Sequence, residues 1–180
     1  MKKTILFLFN YLATLFLLSC AFHIIEIRST PHHKTNDPEL AIYVNEWLDL
    51  AKKEHISFKR TVTVGFKRIN EDYTIGACYY GHNFREIDVD SSAWKRMTNI
   101  TRTALVWHEL SHCYCGRDHD FAKGKVYPPP RTKEIENKSE GYYWDGCPLT
   151  LMHPVVVSDI CFIMHYDDYV HEQFDRCEPY

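Results

Sequence analysis

The sequence lacks several features, and each absence excludes a class of protein. No block of lysines or arginines stands out, and the net charge is −3, so binding of nucleic acid through its phosphates is not expected. No C-x-x-C spacing occurs among the seven cysteines, which argues against a four-cysteine zinc site. Repeats and low-complexity tracts are also missing. The 45% hydrophobic and 14% aromatic content of the 180 residues instead predicts one globular unit.

An apolar run long enough to cross a membrane is missing too. The run at residues 5–18 is interrupted by Asn10 and falls short of the roughly 20 residues that a membrane span needs. It follows Lys2 and Lys3 and precedes a small residue and a cysteine, which is the layout of an export signal. The first residues are therefore expected to direct export.

The end of this segment resembles the lipobox of bacterial lipoproteins. "LLSC" closes at Cys20, and the resemblance implies cleavage before Cys20 and acylation of its sulfur. Residues 1–19 would then be a lipoprotein signal peptide and 20–36 a tether. Ala21 is not the aspartate that retains many such proteins at the inner membrane, so a lipid anchor in the outer membrane of the bacterial envelope is expected. An ordinary secretory signal is the alternative.

The remaining cysteines suggest disulfides. An even number in an exported chain favours disulfide bonds, but six cysteines allow 15 pairings and the sequence does not choose among them. Cys113 and Cys115 are not expected to pair with each other, because residues two apart at a helix end point in different directions. The six cysteines are Cys78, Cys113, Cys115, Cys147, Cys161 and Cys177.

The order of predicted elements is helix, strands, helix. "NDPELAIYVNEWLDLAKKEH" has a capping residue, Asp37, before Pro38 and then helical apolar spacing. Three short strands follow in "RTVTVGFKRI", "TIGACYYGH" and "REIDVD". A second helix runs from Thr98 or Asn99 to Gly116, and residues 165–177 predict a closing helix. The fold class is therefore α+β, with residues 37–180 as one domain after the tether.

The second helix carries a group of residues suited to binding a metal. In "HELSH", His108 and His112 lie one turn apart on the same helix face, so both can reach one ion. Glu109 lies beside them, where a base can take a proton from water that the metal activates. Zinc suits imidazole ligands and leaves a position open for water. The pattern therefore predicts a Zn²⁺ site with Glu109 as its general base.

This stretch resembles the metzincin branch of zinc metallopeptidases, whose signature is H-E-x-x-H-x-x-G-x-x-H followed by a methionine-bearing turn. Gly116 and His119 each stand one residue later than that pattern requires. In strict register Asp118 would be the third ligand. We favour His119, because Gly116 permits the sharp turn and the spacing from Gly116 to His119 is that of the family.

The resemblance also implies a methionine turn beneath the metal. Met152 is preferred, because Pro148 and Pro154 bracket it as a turn. Met164 is the alternative, in a segment that leads into the predicted closing helix. The implied fold is zincin-like: a small mixed sheet packed on the N-terminal and motif helices, then a loop-rich part with the Met-turn and closing helix. In that fold, the strand in "YGHNFREIDVD" would form the upper rim of the substrate-binding cleft. The backbone of this edge strand could pair with an extended peptide.

The implied function is that of a monomeric metalloendopeptidase acting on a peptide or protein substrate. Two alternatives remain. A glutamate could replace His119 as third ligand, as in thermolysin-like gluzincins, and "EIENKSEG" offers three candidates. The chain could also be a non-catalytic surface lipoprotein of zincin fold that binds metal or a protein partner. The three candidate glutamates are Glu134, Glu136 and Glu140.

Overall fold

The computed structural model describes residues 36–70, 74–119, 143, 145–175 and 177. Within these ranges the chain forms five helices and one three-stranded sheet, so the predicted α+β class is confirmed. The helices are α1 (Pro38–Lys53), α2 (Ser91–Trp94), α3 (Asn99–Cys115), α4 (Asp159–Met164) and α5 (Tyr166–Asp175), and the strands are β1 (Thr63–Lys67), β2 (Gly76–Tyr80) and β3 (Arg85–Asp90).

Several predicted features lie outside the described residues. They are the signal peptide (1–19), the lipidation candidate Cys20, all of the tether (20–36) except Asn36, and the alternative ligands Glu134, Glu136 and Glu140. In the part of the chain that is described, no helix has both the length and the apolar composition needed to cross a membrane.

The two long helices begin and end where local chemistry predicts. The Asp37 side chain accepts a hydrogen bond from the Glu39 N–H at 2.9 Å, and Pro38 occupies the first turn of α1. The Thr98 side chain caps α3 in the same way, through the Thr101 N–H at 3.1 Å. Gly116 ends α3 with a φ of 63°, a conformation that costs glycine little.

The sheet places β3 in the middle. Its strand order is β1-β3-β2, with β1 parallel and β2 antiparallel to β3. The prediction that "YGHNFREIDVD" forms an open rim is therefore wrong, because β3 is hydrogen-bonded on both sides. Burial along β3 from Glu86 to Asp90 fits this central place. The described strand that packs against α3 at an edge of the sheet is β2.

An aromatic cluster joins three helices on one side of the molecule. Trp47 of α1 lies against Tyr114 of α3 and Phe174 of α5, with ring centroids 5.4 and 5.0 Å away. The Trp47 Nε1–H also donates to Oε1 of the buried Gln173 at 2.6 Å. Because apolar burial stabilises roughly in proportion to area, this cluster fixes α3 between α1 and α5.

Three disulfides connect the elements that surround α3. Cys78–Cys113 joins β2 to α3, and Cys115–Cys177 joins the end of α3 to the C-terminal segment. Cys147–Cys161 joins the segment before Met152 to α4. Cys113 and Cys115 are thus not bonded to each other, as expected from their positions on the helix.

Candidate metal centre

Three histidines converge on one point at the C-terminal end of α3. The Nε2 atom of His108 lies 3.0 Å from Nε2 of His112 and 3.1 Å from Nε2 of His119. His108 and His112 come from successive turns of α3, while His119 follows the left-handed Gly116 that turns the chain back. The glycine therefore brings the third imidazole to the two on the helix.

Backbone carbonyls hold the other nitrogen of the two helical histidines. The Nδ1–H of His108 donates to the Leu151 carbonyl at 2.7 Å, and the Nδ1–H of His112 donates to the Arg117 carbonyl. Since a carbonyl oxygen can only accept, a neutral ring in this arrangement carries its proton on Nδ1. The Nε2 lone pairs of both rings are then available at the point of convergence, which is how metal-binding histidines are oriented.

The arrangement fits a metal ion. A tetrahedral ion about 2.1 Å from each nitrogen would need ligand nitrogens about 3.4 Å apart, close to the 3.0 and 3.1 Å between the Nε2 atoms. His108 and His112 are each only 4% exposed. Imidazole is a common ligand of zinc and other transition metals, so the donor set can hold such an ion.

The two candidates for third ligand occupy different environments. His119 is half-buried and belongs to the histidine group, whose ligand atoms lie within 4.8 Å of one another. Asp118 is exposed and does not belong to that group. The geometry thus favours His119, the residue that the glycine spacing indicated.

Glu109 is fully enclosed beside β2. Burial raises the pKa of its carboxyl to about 8. A hydrogen bond from the Cys78 backbone has the opposite, smaller effect and lowers the pKa. Among the described residues, its buried Oε2 has no hydrogen-bond partner. A Cβ on Gly76 would stand 2.7 Å from Glu109 Oε1, so the glycine leaves the space that the carboxyl fills.

The segment around Met152 lies at the site, and Met164 lies elsewhere. Met152 is fully buried, and the preceding residue, Leu151, supplies the carbonyl that His108 contacts. Met164 is the last residue of α4 and is 54% exposed. Of the two candidates for the methionine turn, Met152 is therefore the one that adjoins a residue in contact with His108.

A second cluster of potential ligands differs in its chemistry. Asp145, Cys147 and His165 have ligand atoms within 4.8 Å of one another. The sulfur of Cys147, however, is bonded to Cys161, and a metal ligand must be a thiolate. The His165 Nε2 and Asp145 Oδ2 atoms already form a hydrogen bond of 2.8 Å. In the described ranges, the His108 group is therefore the better candidate for a metal.

Sequence reasoning missed three residues around the site. Gly76 lies against Glu109 and Glu172 binds Arg117 through tertiary packing, whereas the Arg117 carbonyl contacts His112 locally, at the end of α3. Gly76 and Glu172 lie outside the histidine motif, and Arg117 lies inside it but is not one of its signature residues. The one indication in the sequence was that Arg117 directly follows Gly116, because a residue in the turn before His119 can help to fix that turn.

Comparison with known proteins gives one match. A family model described as "Putative phage metallopeptidase" matches residues 16–137, about two thirds of the 180 residues. The matched range contains Glu109 and the three converging histidines, and it ends before Met152. No curated protein and no solved structure matches significantly. On the extent of this match, the chain belongs to the phage metallopeptidase family.

Proposed function

We propose that this protein is a zinc-dependent endopeptidase of metzincin-like type. The observation that carries the proposal is the convergence of three Nε2 atoms at the end of the helix that also holds Glu109, a buried carboxyl whose Oε2 has no hydrogen-bond partner among the described residues. Neutral imidazoles and a nearby base are the groups that metal-assisted hydrolysis requires. Membership of a metallopeptidase family supports the same conclusion.

In this proposal, His108, His112 and His119 hold the ion and Glu109 moves the proton. Zinc bound there supplies polarisation of the scissile carbonyl and a lowered pKa of the attacking water. The Glu109 carboxylate accepts a proton from that water as its oxygen bonds to the carbonyl carbon. Glu109 then returns the proton to the departing nitrogen as the C–N bond breaks, leaving a carboxylic acid and an amine, between which the remaining water proton equilibrates.

The ionisation of Glu109 would depend on the metal. Burial raises the pKa of this carboxyl to about 8, because it disfavours the charged form. A dication nearby favours the charged form and lowers the pKa. Metal binding would thereby convert Glu109 into the base that the reaction needs.

The test compares two variants of the full chain for metal content and for cleavage of a peptide library. We expect Glu109→Gln to retain the wild-type amount of zinc and to lose cleavage, because Gln cannot accept the proton. We expect His112→Ala to lose zinc and cleavage together. Wild-type cleavage should stop on addition of o-phenanthroline and return with added zinc.

A matched control is Asp118→Asn, which removes an exposed carboxylate next to His119 and should leave zinc content and cleavage unchanged. Loss of zinc in that variant would instead assign the third ligand to Asp118. Cleavage by the Glu109→Gln variant would contradict the mechanism. A wild-type protein that binds zinc and cuts no peptide would support the alternative of a non-catalytic metal-binding lipoprotein.

We also propose that the protein is exported, lipidated on Cys20 and anchored in the bacterial outer membrane as a monomer. The basis is the signal-like N-terminal sequence together with three disulfides, which persist in oxidising compartments. Incorporation of labelled palmitate into the wild type, and its loss in Cys20→Ser, would be the expected result. Label retained by Cys20→Ser would contradict lipidation at this residue.

A further inference from the structure

The carbonyls that orient His108 and His112 belong to two separate parts of the chain. Leu151 lies before Met152, whereas Arg117 follows the end of α3. Neither residue belongs to a helix or to the sheet. The Arg117 N–H donates to the Ser111 carbonyl at 3.4 Å and so ties Arg117 to the end of α3, but this bond does not hold Leu151. Because a shift of either carbonyl would turn the histidine it contacts, a group that contacts both residues can influence the orientation of both histidines.

The side chain of Glu172 contacts both parts. Its Oε1 accepts from the Arg117 guanidinium and from the Thr150 hydroxyl, the latter at 2.8 Å. Its Oε2 accepts from the Leu151 N–H at 3.3 Å. The Glu172 carboxylate thus binds the side chain of Arg117 and the backbone N–H of Leu151, the two residues whose carbonyls contact the histidines.

Additional bonds make this junction tighter. Arg117 Nη1 donates to the Glu172 backbone carbonyl at 3.2 Å, and the Met152 N–H donates to Thr150 Oγ1 at 3.0 Å. The side chains of Arg117 and Glu172 are only 6% and 7% exposed. A buried ion pair of this kind is costly to break, since removing one partner leaves the other charge uncompensated.

We propose that Glu172 is a positioning residue for the metal centre. It holds the Leu151 and Arg117 carbonyls so that His108 and His112 keep their protons on Nδ1 and present Nε2 to a common ion. The part that concerns metal affinity rests on the proposed function, whereas the orientation of the histidines does not. Outer partners of metal ligands typically contribute 10-fold to 100-fold to metal affinity.

The experiment uses Glu172→Gln, Glu172→Asp and a matched control, Gln173→Leu, in the full chain. Gln173 is the next residue of α5 and is fully buried, but its side chain accepts a hydrogen bond from Trp47 of α1 rather than contacting Arg117 or Leu151. The first readout is the tautomer of His108 and His112 in the metal-free protein, from ¹⁵N NMR of the imidazole rings. The second is the Kd for Co²⁺, measured by competition with a chelator.

We expect wild type and Gln173→Leu to show the Nδ1–H tautomer and the same Kd. Glu172→Gln should give mixed tautomers and bind Co²⁺ about 10-fold to 100-fold more weakly, and Glu172→Asp, which keeps the charge, should recover part of the loss. Thr150→Val provides a milder variant if Glu172→Gln does not fold, because it removes one of the bonds to the same carboxylate.

Wild-type tautomers in Glu172→Gln together with an unchanged Kd would overturn the proposal. An equal loss of affinity in Gln173→Leu would also overturn it, since the effect would then be general destabilisation. If the wild-type protein bound no Co²⁺, the proposed function would fail, and the tautomers alone would still decide whether Glu172 positions the two rings.

Discussion

Gly76 of β2 lies close to the candidate base. A Cβ there would stand 2.7 Å from Glu109 Oε1 and 2.9 Å from Leu105 Cδ1, and such distances require something to move. Neither neighbour has room, because Leu105 is 1% exposed and Glu109 is 2% exposed. The absence of a side chain at Gly76 therefore sets the position of the carboxyl.

The substitution Gly76→Ala should separate metal binding from activity. The new methyl group would displace the Glu109 carboxyl, and misplacing a catalytic group by about 1 Å can cost about 100-fold in rate. Overpacking should also destabilise the fold by about 1–3 kcal/mol. We expect unchanged zinc content with strongly reduced cleavage of the best library peptide, so wild-type kcat/KM in this variant would contradict the contact.

At the residue scale, local geometry explains what could be predicted of the site. The pairing of His108 and His112 follows from one helical turn, and the choice of His119 follows from the left-handed Gly116. Glu172 could not be predicted, because its contact with Arg117 spans 55 residues and nothing in the local sequence distinguishes it from other acidic residues of α5. Local rules thus identify the groups that would bind metal but not the residues that hold them.

Among the elements, the junction of β3 and α2 depends on one carboxylate. Asp90 Oδ1 accepts from the Ala93 N–H at 2.7 Å and from the Ser92 hydroxyl at 2.6 Å, while Oδ2 accepts from the Ile69 N–H at 2.8 Å. The Ser92 hydroxyl is the main cause that lowers the pKa of Asp90 to about 2, and burial opposes it. The ionised carboxylate therefore stabilises the folded state.

The variant Asp90→Asn should lose stability in a pH-dependent way. The folded-state pKa of about 2 lies below the usual 3.8, so the carboxylate stabilises fully above about pH 4 and loses this effect as pH falls towards 2. At pH 7 we expect Asp90→Asn to be about 1–2 kcal/mol less stable by urea denaturation. The difference from wild type should shrink between pH 4 and pH 2, and a constant difference would argue against the pKa shift.

The predictability of each element follows its length. The helices α1 and α3 span 16 and 17 residues and have caps, so periodicity and capping identify them. By contrast, α2 and α4 have 4 and 6 residues, too few to show a helical period, and they were not predicted. The first strand was predicted from alternation and the other two from the turn-prone residues between them. The central place of β3, however, depends on pairing between distant segments, which these local patterns do not encode.

For the molecule as a whole, two disulfides join α3 to other parts of the chain, and a third joins Cys147 to α4. They close segments of 35, 62 and 14 residues. If loop entropy dominates, the two longer loops each contribute about 4 kcal/mol and the shortest about 3 kcal/mol. Much of the stability of this small domain should therefore depend on oxidation.

Paired substitutions test whether the disulfides that close longer loops contribute more to the free energy of unfolding. We expect Cys115→Ala with Cys177→Ala to lower the free energy of unfolding by about 1 kcal/mol more than Cys147→Ala with Cys161→Ala, because the loop it opens is longer. Urea denaturation of both double variants under oxidising conditions gives the comparison. The reverse order would mean that strain or residual structure, rather than loop length, determines what each bond contributes.

The Cys115–Cys177 bond also has a consequence for the timing of synthesis. Its two cysteines are 62 residues apart, and Glu172 lies near the later one. A growing chain presents "HELSH" long before Glu172 and Cys177 exist, so the histidines and Glu109 are made well ahead of the residues that secure them. The contacts of Glu172 and the Cys115–Cys177 bond can therefore hold the candidate metal centre only after residue 177 has been added to the chain.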